Sequence, residues 1–111
     1  MAKIQISPEA KNDLKEIKMY ITAELASPKA AANTVSKITK AIRKLKDFPD
    51  IGAPLSEIIT VQCNYRFLVS GNYLTFYRHE RGVVSVIRVI YGKRDYIKIL
   101  FGDIQEDEPE L

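Results

Sequence analysis

Five basic residues in the second half of the chain have the type and spacing to bind an anion or stabilise a developing negative charge: Arg66, Arg78, Arg88, Lys93 and Arg94. Three of them stand inside runs of β-branched and aromatic residues, where arginine is uncommon. Side chains alternate across a strand, so Arg88 shares a face with Val84, Val86 and Ile90, and Arg78 with Leu74 and Phe76. Each guanidinium therefore leaves an otherwise apolar face. Two readings are open. Each arginine snorkels to a sheet edge or pairs with a carboxylate such as Glu57 or Asp95. Alternatively the arginines, on neighbouring strands, converge on one site for a phosphate or an acidic protein surface.

Tyr65, Tyr73, Tyr77, Tyr91 and Tyr96 interleave with these cations. Their rings could stack on bases and their hydroxyls could move protons, although core packing accounts for most of them. Tyr96, close after Arg94 at the end of the last strand, is the one least required inside a sheet. His79 reads as a turn residue. The single cysteine, Cys63, cannot close an internal disulfide, and with one histidine there is no metal-ligand spacing. No glycine-rich phosphate loop, paired-carboxylate motif or zinc signature occurs, so no metal or cofactor is expected.

The elements that must position these residues follow from periodicity. Lys3 to Ser7 alternates as a short strand would, and Ser7-Pro8-Glu9 supplies an N-cap, a first-turn proline and an acid at a helix start. Ala10, Leu14, Ile17, Ile21 and Leu25 then form one apolar stripe. Ser27-Pro28 repeats the start signal, and Ala31, Val35, Ile38, Ile42 and Leu45 form a second stripe before Phe48-Pro49 stops the helix. On this second helix Lys37, Lys40, Arg43, Lys44 and Lys46 read as a solvated face in preference to a binding surface. Pro49 to Pro54 is a loop. Strands are expected over about 59–69, 73–78 and 83–91, broken at Ser70-Gly71-Asn72 and His79-Glu80-Arg81-Gly82. The first strand belongs at an edge or beside the last strand. Residues 95–101 form either a short terminal helix or a final extended piece.

With 111 residues the chain holds one core. The expected class is α+β, in the order β-α-α-β-β-β, with a helical hairpin on an antiparallel sheet spanning residues 1–102 and an acidic, disordered tail at 103–111. The net charge is +3, but five of the acids lie in that tail, so residues 1–102 carry 17 basic against nine acidic groups. A body of about +8 attracts anionic partners and equally serves solubility. No run approaches a membrane span, and a cytoplasmic location is expected.

Several segments together resemble the RelE/ParE toxins of bacterial toxin–antitoxin modules. They are Ile6-Ser7-Pro8-Glu9-Ala10 with Asp13-Leu14, the stretch from Phe48 to Leu55, Tyr65 to Val69, Tyr73 to Arg78, and Arg88 to Tyr96. The resemblance implies a growth-arresting toxin held inactive by a cognate antitoxin, whose acidic or amphipathic segment wraps the helices and sheet. Operator DNA would be reached only through the antitoxin. RelE-like members cut messenger RNA on the ribosome, and on that branch the resemblance makes Arg94 and Tyr96 catalytic. ParE-like members trap DNA gyrase without chemistry of their own, and Arg66, Arg78, Arg88, Lys93 and Arg94 then bind the target. The strand opening Asn72-Tyr73-Leu74 lacks the arginine that RelE-like enzymes carry there, and Tyr96 lies closer to Arg94 than their terminal tyrosine would. The resemblance thus leans to the ParE-like branch, with the nuclease as the alternative and a non-toxic homologue acting only within a DNA-binding toxin–antitoxin complex as a third reading.

Overall fold

The computed structural model describes residues 1–60 and 62–102. The acidic tail lies outside the described residues. Strand β1 (Lys3–Ile6) leads into helix α1 (Pro8–Leu25), whose first turn is closed by Ser7 Oγ accepting the Ala10 N–H at 3.0 Å. Helix α2 (Pro28–Lys44) starts the same way, with Ser27 Oγ accepting from Ala30 N–H at 3.1 Å. Between them Ala26 turns the chain in the left-handed region at φ 49°, a conformation that glycine adopts more readily.

The sheet has the order β1-β5-β4-β3-β2, where β2 is Ala53–Pro54, β3 Arg66–Ser70, β4 Tyr73–Glu80 and β5 Val83–Tyr91. All neighbours are antiparallel except β1, which runs parallel to β5 with Lys3 opposite Val83. The α+β class and the hairpin-on-sheet arrangement stand as expected, and β1 makes the sheet mixed. Both expectations for the first strand are met, since it lies at the edge and beside the last strand. The β4–β5 turn uses Arg81 and Gly82, both at positive φ, the pattern that matches the twist of a two-residue hairpin.

The strand start near residue 59 is corrected: β3 begins at Arg66, and Ala53–Pro54, read as loop, pairs with it instead. Pro54 has no N–H to give a ladder, which an edge position tolerates. The intervening apolar residues Leu55 and Ile59 turn under the sheet through a one-turn 3-10 helix, Leu55–Glu57, and join a second core, where length predicts one, because the sheet buries apolar side chains on both of its faces.

The helical hairpin covers one face of the sheet, where Ile17, Ile21, Ile38, Ile42 and Leu45 meet Tyr77, Val84, Val86 and Val89. Leu25, expected in the stripe, is instead exposed. The other face is covered by helix α3 (Tyr96–Phe101), which settles the terminal segment as a helix. There Tyr96, Ile99, Leu100 and Phe101 pack over Leu55, Phe76 and Ile90. No described helix is long and apolar enough to cross a membrane.

Candidate functional site

The five sequence-derived cations do not meet on one surface. Arg88 is turned toward α1. Its Nε donates to Asp13 Oδ2 at 2.7 Å and its Nη2 to Asp13 Oδ1 at 2.8 Å, while the same Oδ2 accepts the Val89 N–H at 2.9 Å. The reason is local. Strand β1 ends at Ile6, leaving the outer edge of β5 unpaired beyond Val86; Ser7 takes over by donating its N–H to Val86 O and its hydroxyl to Ile87 O, and Asp13 takes the next N–H. The register shift between Phe76 and Tyr77, opposite Val86 to Arg88, inserts one extra residue there and re-aims the side chain. The Asp13 hydrogen bonds hold the guanidinium pKa above its ordinary value, against the opposing effect of burial. The shallow hollow on the remaining side of Arg88 also carries Glu9 and Glu16, an acidic setting for a phosphate.

Arg66 is likewise engaged. Opposite Tyr77 on the helix-covered face, its Nη1 donates to Gly52 O at 2.6 Å and Asp50 O at 3.2 Å. Tyr77 Oη accepts the Gly52 N–H at 2.9 Å, and His79 Nδ1 lies 2.8 Å from Asp50 Oδ1. Three side chains of adjacent strands thus clamp residues 50–52. Glycine is required at 52, because a Cβ would fall 2.7 Å from the Tyr77 ring and 2.8 Å from Phe67 O. The hydrogen bond from His79, then the charges of His79 and Arg66, hold the Asp50 carboxyl below its ordinary pKa, with burial opposing. His79 is therefore a strand residue of β4 with a partner, not a turn residue.

Arg78 lies on the opposite face, its guanidinium carbon 5.7 Å from the Tyr65 ring centre, and Tyr65 in turn stacks on Phe101 at 5.5 Å. Tyr96 belongs to the same side, its ring 5.4 Å from that of Phe76. Asp95 caps α3 by accepting the Lys98 N–H.

Lys93 and Arg94 remain exposed after β5. Arg94 lines a groove of about 740 Å³ between α1, the middle of α2, and the β3–β4 turn. Ile17 and Ile21 form its floor, Tyr20, Tyr73 and Tyr91 its aromatic walls, and Glu24, Lys37 and Arg94 its charged lip. The Tyr73 and Tyr91 rings stand 5.7 Å apart, and burial raises the pKa of the Tyr73 hydroxyl, with Tyr20 and Tyr91 adding to it. A concave site of this size, apolar below and charged at the rim, suits side chains of an amphipathic peptide segment.

The family model of the ParE toxin of the type II toxin–antitoxin system, parDE, matches residues 4–96. The chain belongs to the ParE toxin family. No curated protein matches it. Among solved structures it is similar to a chain of the chromosomal ParDE toxin–antitoxin system from P. aeruginosa, with a TM-score of 0.69 at 17% identity, covering 82% of this chain and 96% of that one. That likeness is one of fold.

Within this ParE fold, the residues that sequence reasoning passed over are the partners. Asp13 interrupts the inward side of α1, and an acid there is the signal that an inward arginine awaits it. Asp50 and Gly52 lie in a stretch read as loop and counted in the family resemblance without a role of their own, and Tyr20 lies outside the apolar stripe. Their roles depend on what the fold brings opposite them.

Proposed function

We propose that this ParE-family chain arrests growth by binding DNA gyrase, is held inactive by a cognate antitoxin, and carries out no RNA cleavage. The observation that carries this reading is the dispersal of the groups a nuclease would need together. Tyr96 is packed in the second core on Phe76, Arg66 is occupied by residues 50 and 52, and Arg88 is occupied by Asp13. General acid–base chemistry needs a group within hydrogen-bond reach of the reacting atoms and beside cations that stabilise charge. Arg94 faces the groove without Tyr96 beside it there. Target recognition then falls to Lys93 and Arg94, with Arg66 and Arg78 contributing from their exposed flanks and Arg88 acting through the framework.

The antitoxin's amphipathic segment takes the groove, placing apolar side chains among Tyr20, Tyr73 and Tyr91 and a carboxylate against Arg94. Sequence-specific operator contacts belong to the antitoxin, and the complex works in the cytoplasm. The test is a pair of assays on the purified chain. Inhibition of gyrase supercoiling with intact message on programmed ribosomes is the expected result. Ribosome-dependent cleavage of message overturns the reading, as does a harmless protein that affects neither target.

A further inference from the structure

Helix α2 differs from every other element in its charge. From Pro28 to Lys46 the chain has six cations, Lys29, Lys37, Lys40, Arg43, Lys44 and Lys46, and no acid. All six are exposed, and among the described residues none has a carboxylate partner. A face built for solubility mixes signs, as α1 does: Lys11, Lys15 and Lys18 are interspersed with Glu9, Glu16 and Glu24. The helix dipole accounts for the cations in the last turn but not for Lys29, Lys37 or Lys40. Lys29, Asn33, Lys37, Lys40 and Lys44 follow one another at intervals of four, four, three and four, so they form a single stripe along the axis. At 1.5 Å per residue that stripe is ~22 Å long. The other exposed positions of α2 are Pro28, Ala32 and Asn33, so α2 itself adds no large apolar anchor and no ring to the stripe, which borders the aromatic groove at Lys37 alone.

We infer that this face of α2 binds the phosphate backbone of duplex DNA directly. A protein interface relies on buried aromatic or apolar anchors, which the stripe lacks. Single strands are held largely by stacking on rings, which it also lacks. A duplex presents one charge per ~1.7 Å of axis, about 13 charges along the length of the stripe. With its other side packed on α1 and the sheet, α2 touches phosphates and reads no bases, so the contact is sequence-independent. It adds the toxin's own hold on DNA to whatever sequence a partner reads.

The experiment is fluorescence anisotropy of the purified full chain with a labelled random-sequence duplex of about 25 base pairs, titrated between about 50 and 200 mM salt. With four stripe cations engaged, affinity falls about 150-fold over that range, a log–log slope near −3.6. The triple variant Lys37→Gln, Lys40→Gln, Lys44→Gln lowers the slope to about −1, while Lys11→Gln, Lys15→Gln, Lys18→Gln, an equal loss of net charge on α1, leaves it near that of the parent. Circular dichroism confirms that both variants fold. Equal losses in the two variants, no binding at low salt, tighter binding to single-stranded RNA, or equal competition by polyglutamate and unlabelled duplex each overturns the proposal.

Discussion

Arg88 and Asp13, 75 positions apart, are joined by two parallel N–H···O bonds of 2.7 and 2.8 Å, and the same carboxylate ends the hydrogen-bonding edge of β5 at Val89. An arginine that the strand pattern offers as a recognition residue is the tie between the first helix and the last strand. Removing either partner leaves a largely buried charge uncompensated.

Asp13→Ala is therefore expected to lower stability by about 3 kcal/mol, and Arg88→Ala by a similar amount. The double change Asp13→Leu with Arg88→Met recovers only part of it: the apolar pair needs no desolvation, but the Val89 N–H loses its acceptor, at about 1–2 kcal/mol. Urea unfolding followed by circular dichroism measures all three. If the double variant also remains toxic, Arg88 acts through the framework; loss of toxicity in a stable double variant returns it to the target surface.

Tyr96→Phe keeps the ring on Phe76 and removes only the hydroxyl. Toxicity of this variant is expected to match the parent, whereas Arg94→Glu reverses a charge at the lip of the groove and weakens partner binding by at least tenfold, roughly 1.4 kcal/mol. Growth curves and antitoxin titration read out the two. A marked drop in toxicity for a well-folded Tyr96→Phe protein would argue for acid–base chemistry.

Gly52→Ala forces a methyl group against the Tyr77 ring and a backbone oxygen, costing on the order of 2–3 kcal/mol. Tyr77→Phe leaves the Gly52 N–H without its acceptor, at about 1–2 kcal/mol. The two changes disturb one contact, so their combination is expected to cost less than the sum. Thermal unfolding of the three variants shows whether that holds.

The Asp50 carboxyl has a folded-state pKa below its ordinary value of 3.8. Its contribution is therefore complete above about pH 4, where the unfolded chain's carboxyl is ionised, and is lost as pH falls through the lower folded value. Asp50→Asn should lower the urea midpoint at pH 7, and the gap from the parent should close below about pH 4. A gap that does not narrow as pH falls below about 4 contradicts this assignment to ionisation.

Ala26→Gly is expected to stabilise the chain by about 0.5–1 kcal/mol, since glycine accepts the left-handed geometry at φ 49° without the Cβ penalty. For a domain of this size the melting temperature rises by about 2–5 °C. Differential scanning calorimetry decides it.

How much of this was legible in the amino-acid order depends on the range of the interaction. Both helix starts, at Pro8 and Pro28, were readable because a serine cap and a first-turn proline act over three residues. The two hairpins were readable because Gly71, Arg81 and Gly82 sit where the chain must reverse. The short β2 strand was not, since Ala53 and Pro54 carry no strand signal and are extended only because Phe67 and Arg66 lie beside them. The exposure of Leu25 was likewise hidden, because a helical stripe reports spacing and not where the covering sheet stops.

For the site the division is sharper. Local order alone determined the inventory of arginines and tyrosines, the cation-only second helix, the α+β class and the family resemblance, because each rests on residue type and short spacing. The tertiary structure alone decided which cations are free. Asp13 neutralises Arg88 across 75 positions, the 50–52 segment occupies Arg66, the second core takes Tyr96, and Lys93 and Arg94 stay exposed, Arg94 at the groove. Ion pairs and hydrogen bonds act over a few ångströms in space, and which groups come within those few ångströms is a property of the fold.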